Sequence, residues 1–377
     1  MEIRLFQPYI GDEELAKIKE AFDRAWIGGG PLITEFEKKW SKHLGCEISV
    51  ALNSGTAALH LALYCQNFPK GKKVLLPSLT FASTAAAVLY CDLEPVFVDS
   101  DPTTLGMSLD DLDKKYDKDC VAVIPVHLGG HPVPMDQLVV WAKDKNLFII
   151  EDCAHTSGSS FKGKNLGTWG DIGCFSFEEK KVMTTGDGGM ICSNDASNLK
   201  NIRARRWVGM DKDNWKKAEE YTDANFDAMH WFYEVSELGY KYNMNDLAAA
   251  LGIVQLDKLA KMNNKRKMLM KRYIDGMKEI IDIELLMPFD PNRYVYWMFG
   301  VRCDFRDDLM IYLKSKGVAT GCHYTPLHMQ PLFKNFKSNC PIIEKEYPRF
   351  MTLPFHVALK NEEVDYVLKS LSDYIKK

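Results

Sequence analysis

The run EISVALNSGTAALHLALYCQ, residues 47–66, decides the fold. Its first part, EISVALN, is short and largely apolar and predicts a strand. The remainder, SGTAALHLALYCQ, predicts a helix of Ala and Leu opened by Ser-Gly-Thr. A strand that passes directly into a helix is half of a βαβ unit, and the rhythm repeats outward from it. KKVLLPS, EPVFVDSD, CVAVIPVHL and LFIIEDC predict strands, and TFASTAAAVLYC, SLDDLDKKYD and PMDQLVVWAKDKN predict the helices between them. Strands this apolar, alternating with helices, predict an α/β layer with a mostly parallel mixed sheet covered on both faces.

Upstream, DEELAKIKEAFDRA and LITEFEKKWSKHLG carry apolar residues at helical spacing, and WIGGGP breaks the helix between them. Downstream the rhythm changes. Residues 207–236 are rich in aromatic and charged residues without periodicity and predict a long functional loop. Residues 245–280 predict one or two long helices. The remainder mixes strands such as YVYWMFGVRC with amphipathic helices, as a smaller α+β domain does. The expected division is a large α/β domain over 12–250 and a small C-terminal α+β domain over 251–377, with the segment 1–11 packing on either.

The 377 residues suit two domains, and 46% hydrophobic with 26% charged residues is the balance of a globular protein. A net charge of −3 leaves no basic footprint, which argues against nucleic acid as the main partner. The ten cysteines are scattered without a CxxC pair, several inside apolar runs, and read as thiols of a reducing compartment. The N-terminus lacks a signal-peptide layout and no apolar run approaches membrane-spanning length, so a cytoplasmic protein without membrane contact is expected.

Four places carry candidate chemistry. At Ser54-Gly55-Thr56 a strand turns into a helix whose free N–H groups and dipole favour an anion, although a hydroxyl there also serves as a plain helix cap. In FIIEDCAHTSG, Glu151 and Asp152 follow a buried strand. A carboxylate at such a strand end binds a metal, a ribose or a protonated ring nitrogen, or caps the next segment. His155 follows without a second ligand cluster, and no metal is expected. Phe81, in TFASTAAAV, stands where another strand becomes a helix, as a core residue or as a platform for a planar ring. Finally CFSFEEKKVMTTGDGGMICS, residues 174–193, sets a lysine pair beside apolar strand residues and a glycine-rich turn. The spacing of those glycines is not GxGxxG, so they read as tight turns or close backbone approach rather than a dinucleotide site. The order of the four matters: anion turn, edge aromatic, strand-end Asp, and a lysine 29 residues after that Asp. It matches what pyridoxal 5'-phosphate requires: an anion cradle, a ring platform, a carboxylate at the ring nitrogen and a Schiff-base lysine. Polar-aromatic loops at 207–236 and 321–331 supply Trp207, Trp215, His323, Tyr324 and His328 as candidate substrate contacts.

The segments NSGTAALHLAL, PSLTFASTAAAV, EDCAHTSGS, FSFEEKKVMTTGDGGM, LGYKYNMNDLAAALG and HYTPLHMQP, in this order, resemble the DegT family of sugar-nucleotide aminotransferases. The resemblance covers nearly the whole chain. It implies the fold-type I, aspartate aminotransferase-like architecture with pyridoxal 5'-phosphate as a Schiff base on Lys181, leaving Lys180 as the solvated neighbour. It further implies Gly55, Thr56 and Ser176 at the phosphate, Phe81 on the ring, Asp152 at the pyridine nitrogen and His155 near the 3'-oxygen, where many relatives carry Gln. Lys241, in GYKYN, stands where relatives with GYNYR carry an Asn that reaches the phosphate from the other subunit. A homodimer with shared active sites is therefore implied. Val182 stands where Asn often follows the lysine, and Glu178 and Glu179 where relatives have His or small residues. The implied reaction moves an amino group from L-glutamate to a nucleotide-linked keto-deoxysugar, as in O-antigen, lipopolysaccharide or related glycan biosynthesis. A cyclitol or other keto substrate is the nearest alternative. The family's dehydratase branch has His in place of the lysine, which Lys181 argues against, and a non-catalytic cofactor-binding regulator is the reading from another class.

Overall fold

The computed structural model describes residues 2–199, 201–210, 233–336 and 338–376. Two helices come first, α1 (Asp12–Asp23) and α2 (Pro31–Leu44). The carboxylate of Glu14 reaches back to accept the Gly11 N–H and caps α1. Helix α2 starts on Pro31 and ends on the left-handed Gly45. Then follow β1 (Ile48–Leu52), α3 (Gly55–Tyr64), β2 (Lys73–Pro77), α4 (Ala82–Tyr90), β3 (Glu94–Val98), α5 (Leu109–Lys115), β4 (Cys120–Val123), α6 (Met135–Asp144) and β5 (Phe148–Asp152). A short hairpin, β6 (Ser160–Phe161) with β7 (Lys164–Asn165), precedes β8 (Ile172–Ser176) and β9 (Gly189–Ser193), and α7 (Ile202–Arg205) follows.

The seven-stranded sheet has the order β1-β9-β8-β5-β4-β2-β3. Pairing is parallel from β8 through β5, β4 and β2 to β3, and β9 runs antiparallel to both of its neighbours. Six strands therefore end on one edge of the sheet, and β9 begins there. Side-chain alternation along β8 sends Phe175 into the core with Phe177 just beyond it. Both rings meet Trp40 of α2 edge-on at 5.0 Å. Each buried aromatic of this kind contributes on the order of 1.5–3 kcal/mol.

Helix α8 (Asp246–Met277) is one continuous element of 32 residues, about 48 Å long at the helical rise. It packs on α1 and α2 at one end and on α11 (Asn361–Ile375) at the other. The division expected at 250 falls in its first turns, so the passage between the two parts is a stiff helix. Its first residue, Asp246, also accepts N–H groups of Gly30, Leu32 and Ile33, and so holds the WIGGGP break against α8. The C-terminal part carries an antiparallel sheet of β10 (Glu284–Leu285), β11 (Phe299–Arg302) and β12 (Phe350–Leu353), with α9 (Arg306–Ser315) and α10 (Pro341–Glu346). The N-terminal segment joins this part: Ile3 pairs with Val318, and the Leu5 carbonyl accepts the Phe355 N–H. The run YVYWMFGVRC is strand only from Phe299. Before it, Tyr294–Met298 follow an irregular path held by contacts such as Trp297 N–H to the Gly129 carbonyl at 2.8 Å. No helix among the described residues is long and apolar enough to cross a membrane.

Candidate active site

A cavity of about 350 Å³ opens at the carboxyl edge of the sheet. Its wall includes Gly55, Thr56, Phe81, Asp152, His155, Ser176, Lys181, His323 and Tyr324, which come from segments spread over 270 residues of chain. Those of the large part stand at strand ends or in the turns and helix starts that follow them, and His323 and Tyr324 come from the irregular segment after α9.

The β1–α3 junction supplies one end. Ser54 caps α3 by accepting the Ala57 N–H at 3.1 Å, and the Thr56 hydroxyl lies 2.7 Å from that of Ser83 in α4. The cap is made, and the same capped helix start turns its dipole to the cavity. Gly55 is required by close approach: a Cβ there would lie 2.8 Å from Cβ of Ser176. Gly189 meets the same limit, because its Cβ would strike the Ser54 carbonyl oxygen. Gly55→Ala should force β8 and α3 apart and cost ~1–3 kcal/mol, the usual price of overpacking. Thermal melting of the variant against the parent checks this, and an unchanged midpoint would show that the junction yields freely.

Strand β5 presents its two carboxylates to opposite sides. Glu151 points away from the cavity and accepts N–H groups of Gly167, Trp169 and Gly170 at 2.7–2.9 Å, with His127 Nε2 at 3.2 Å. His127 Nδ1 in turn accepts the Val133 N–H. His127, Glu151 and Cys153 stand close enough to share a metal, but the acceptor positions of Glu151 and His127 are taken up by these loop contacts. Asp152 faces the cavity. Thr84 donates to its Oδ2 at 2.9 Å and Ala154 N–H to its Oδ1 at 3.1 Å. Burial raises the pKa of this carboxyl, and the two donors and the Lys181 charge oppose the rise. A cation placed against it would be strongly welcomed.

Lys181 lies in the connection from β8 to β9. Thr184 explains the paired threonines: its hydroxyl donates to the Phe177 carbonyl and accepts the Gly186 N–H, while the Thr185 N–H also returns to Phe177. These contacts fold TTGDGG back on the strand end and leave Glu178–Lys181 as a turn on the cavity wall, with Lys181 N–H donating to the Glu178 carbonyl. Lys180 is exposed and Lys181 half-buried. Desolvation of its ammonium by the surrounding walls pulls the Lys181 pKa down to about 8, against the opposing pull of Asp152 and Glu178.

Trp297 floors this region and escapes a sequence reading, because YVYWMF looks like a strand. Its ring stacks on His155 at 4.1 Å and on Phe6 at 4.8 Å, and the Lys181 ammonium sits 4.6 Å from its centroid. Its indole N–H donates to the Lys180 carbonyl at 2.7 Å. Thr84 is the other residue missed, and only its position one helical turn from Thr80 beside a strand end hints at it. His323 bonds Thr352 through Nδ1 at 2.9 Å, and burial lowers its pKa to about 4, so it is neutral.

Three sequence candidates stand elsewhere. His328 is held between the Ser78 hydroxyl and Glu344 and is not part of the cavity wall. Trp207 and Lys241 meet each other, the Lys241 ammonium lying over the Trp207 ring 3.0 Å from its centroid, also off the wall. Trp215 lies outside the described residues.

The cavity has the parts that pyridoxal 5'-phosphate needs. A helix N-terminus with hydroxyls suits the dianion, Phe81 and Val126 line the space for a flat ring, Asp152 suits a protonated ring nitrogen and Lys181 suits an aldehyde.

Comparison with known proteins gives a consistent result. The profile of the DegT/DnrJ/EryC1/StrS aminotransferase family matches residues 8–372. GDP-perosamine synthase of Escherichia coli O157:H7 is 31% identical over 376 residues, covering 99% of this chain and 98% of that protein. The dTDP-4-dehydro-2,3,6-trideoxy-D-glucose 4-aminotransferase of Saccharopolyspora spinosa is 34% identical over 371 residues, covering 96% and 94%. Among solved structures, Spr1654 of Streptococcus pneumoniae in its PLP form superposes with a TM-score of 0.88 at 26% identity, covering 99% and 98% of the two chains.

Proposed function

The chain belongs to the DegT/DnrJ/EryC1/StrS aminotransferase family, and from that premise we propose that it uses pyridoxal 5'-phosphate to move an amino group from L-glutamate to a nucleotide-linked keto-deoxysugar, a 4-keto-6-deoxyhexose. The observation that carries the proposal is the placing of the Lys181 amine, the Asp152 carboxylate and the α3 N-terminus around one cavity. Relatives named for GDP- and dTDP-linked sugars support a nucleotide sugar as the acceptor.

When bound, the cofactor supplies an aldehyde carbon for amines and a ring that takes up carbanion charge. The residues of this chain do the rest. The first turn of α3 and the Ser176 hydroxyl hold the phosphate. Asp152, kept in place by Thr84 and Ala154, holds the proton on the ring nitrogen. Lys181, on the cavity wall, would anchor the aldehyde, and its Nζ would hold and move a proton at the reacting carbon. Lys241 takes its phosphate-side role in the partner's site, in keeping with its place off the wall of its own cavity. The working unit is thus a homodimer.

The lowered Lys181 pKa has a direct consequence. A lysine at its ordinary pKa of 10.5 is neutral in only about 0.03% of molecules at pH 7, whereas one at about 8 is neutral in about 10%. Uptake of the aldehyde by the apoprotein needs the neutral amine, so its rate should rise with pH and level off above about 8. Stopped-flow absorbance from pH 6 to 10 checks this; a rate still climbing tenfold per unit at pH 9.5 contradicts a lowered pKa.

The function itself is tested by visible absorbance of the purified protein before and after L-glutamate. A yellow protein that bleaches with glutamate and recovers with a GDP- or dTDP-linked 4-keto-6-deoxyhexose supports the proposal. Failure to take up the cofactor after reconstitution sinks it.

A further inference from the structure

Beside Lys181 a chain of hydrogen bonds runs in one direction only. The Gly129 N–H lies 3.2 Å from His155 Nδ1, and a backbone N–H can only donate, so Nδ1 is the acceptor and carries no proton. The ring's single proton is then on Nε2, which lies 3.2 Å from the Tyr324 hydroxyl oxygen and donates to it. His155 is kept neutral by burial and by the neighbouring Lys181 charge. Stacking on Trp297 at 4.1 Å, with the planes 2° apart, fixes the plane of the ring, and within that plane only this orientation sets a nitrogen opposite both Gly129 and Tyr324, since the inverted ring would present Cδ2 and Cε1 to them. Tyr324 therefore receives a hydrogen bond on its oxygen and keeps its own proton for something else. The ring of Tyr324 is on the cavity wall beside Phe81, the groups facing it are His155, His323, Asp152 and Glu178, and Lys181 lines the same wall.

We infer that Tyr324 is a directed proton donor into the cavity, aimed by the relay from Gly129 through His155, and that the ligand presents an acceptor oxygen to it. Tyr324 touches the ligand, and His155 is a positioning residue acting through it. The inference rests on the function proposed above, within which the acceptor is an oxygen of phenolate or carbonyl type. Two sources exist: the 3-oxygen of the cofactor and the keto oxygen of the sugar.

The test uses the full chain, stripped of cofactor and titrated with pyridoxal 5'-phosphate and with its 3-deoxy analogue. Tyr324→Phe, His155→Leu, His155→Gln and the Tyr324→Phe/His155→Leu pair are compared with the parent. If the cofactor oxygen is the acceptor, Tyr324→Phe weakens the parent cofactor about tenfold and leaves the 3-deoxy analogue unchanged, as loss of a hydrogen bond to a charged oxygen requires. If the keto oxygen is the acceptor, cofactor affinity is unchanged and the half-reaction with a saturating dTDP-linked 4-keto-6-deoxyhexose slows about tenfold or more, while the glutamate half-reaction keeps its rate. In either case His155→Leu reproduces the loss and His155→Gln recovers most of it, since an amide also accepts at one end and donates at the other. The double variant is then no worse than Tyr324→Phe alone. Tyr324→Phe with parental behaviour in every arm overturns the inference. So does a His155→Leu loss that persists undiminished in the Tyr324→Phe background. A parent that takes up no cofactor fails before any substitution is made; it overturns the proposed function and this inference with it.

Discussion

Lys181→Ala is expected to abolish the covalent chromophore and lower transamination by at least about 10³-fold, because anchor and proton carrier are lost together. The protein should nevertheless fold. The Lys181 pKa is depressed in the folded state, so the folded protein bears a penalty that is absent above the ordinary pKa of 10.5 and complete once the pH falls below about 8. Alanine removes that penalty, and the cofactor-free variant should melt no lower than the cofactor-free parent at pH 7. A variant that loses activity because it has unfolded shows the opposite. Lys180→Ala serves as the control: that side chain is exposed, and its backbone carbonyl, which takes the Trp297 N–H, survives the change. It should keep the chromophore, and if it loses it instead of Lys181→Ala, the assignment of the anchor is wrong.

Asp152→Asn should leave the cofactor attached but slow both half-reactions by about 10²–10⁴-fold, the range of a lost proton-holding group. Asparagine keeps the shape of the side chain and can still accept from Thr84, but it cannot hold a proton on a ring nitrogen. The sign of the stability effect follows from burial. The Asp152 pKa is raised above its unfolded value, so ionising it in the empty cavity is a cost that appears as the pH climbs past the ordinary carboxyl range. The asparagine variant escapes that cost, and its cofactor-free form should melt at or above the parent at pH 7. Cofactor binding brings the parent a cationic partner for Asp152 and brings the variant none. The rise in Tm on adding cofactor should therefore be smaller in the variant. An equal rise in both proteins argues that Asp152 does not meet a positive charge in the bound state.

These two residues show how far the chain can be read directly. Asp152 ends an apolar run that predicts a buried strand, and six parallel strands ending on one edge bring every such terminus near the same crevice. The βα rhythm from residue 47 onward thus determined the α/β layer, and local order set Ser54–Thr56 and Asp152 at strand ends and the lysine pair beside an apolar strand run. Helix periodicity likewise announced α1, α2 and α8, since those patterns depend on neighbours three and four residues away. The choice of Lys181 over Lys180 rested on a family resemblance, because a pair of adjacent lysines carries no sign of which one turns inward.

The tertiary structure decided what depends on contacts far apart in the chain. Trp297 reaches the cavity because residues 294–298 leave the strand pattern to meet Gly129, and nothing local to YVYWMF announces a partner some 170 residues earlier. Phe6 joins the same stack only because the N-terminal segment lies along the C-terminal part. His328, in a motif that reads as substrate contact, is occupied by Ser78 and Glu344, and Lys241 rests on Trp207. Sequence determines which side chains are available at the end of each strand, because backbone periodicity is a local property. Which of them share a cavity, and which way a proton points along Gly129, His155 and Tyr324, is set by packing between segments that only the folded chain brings within hydrogen-bond reach.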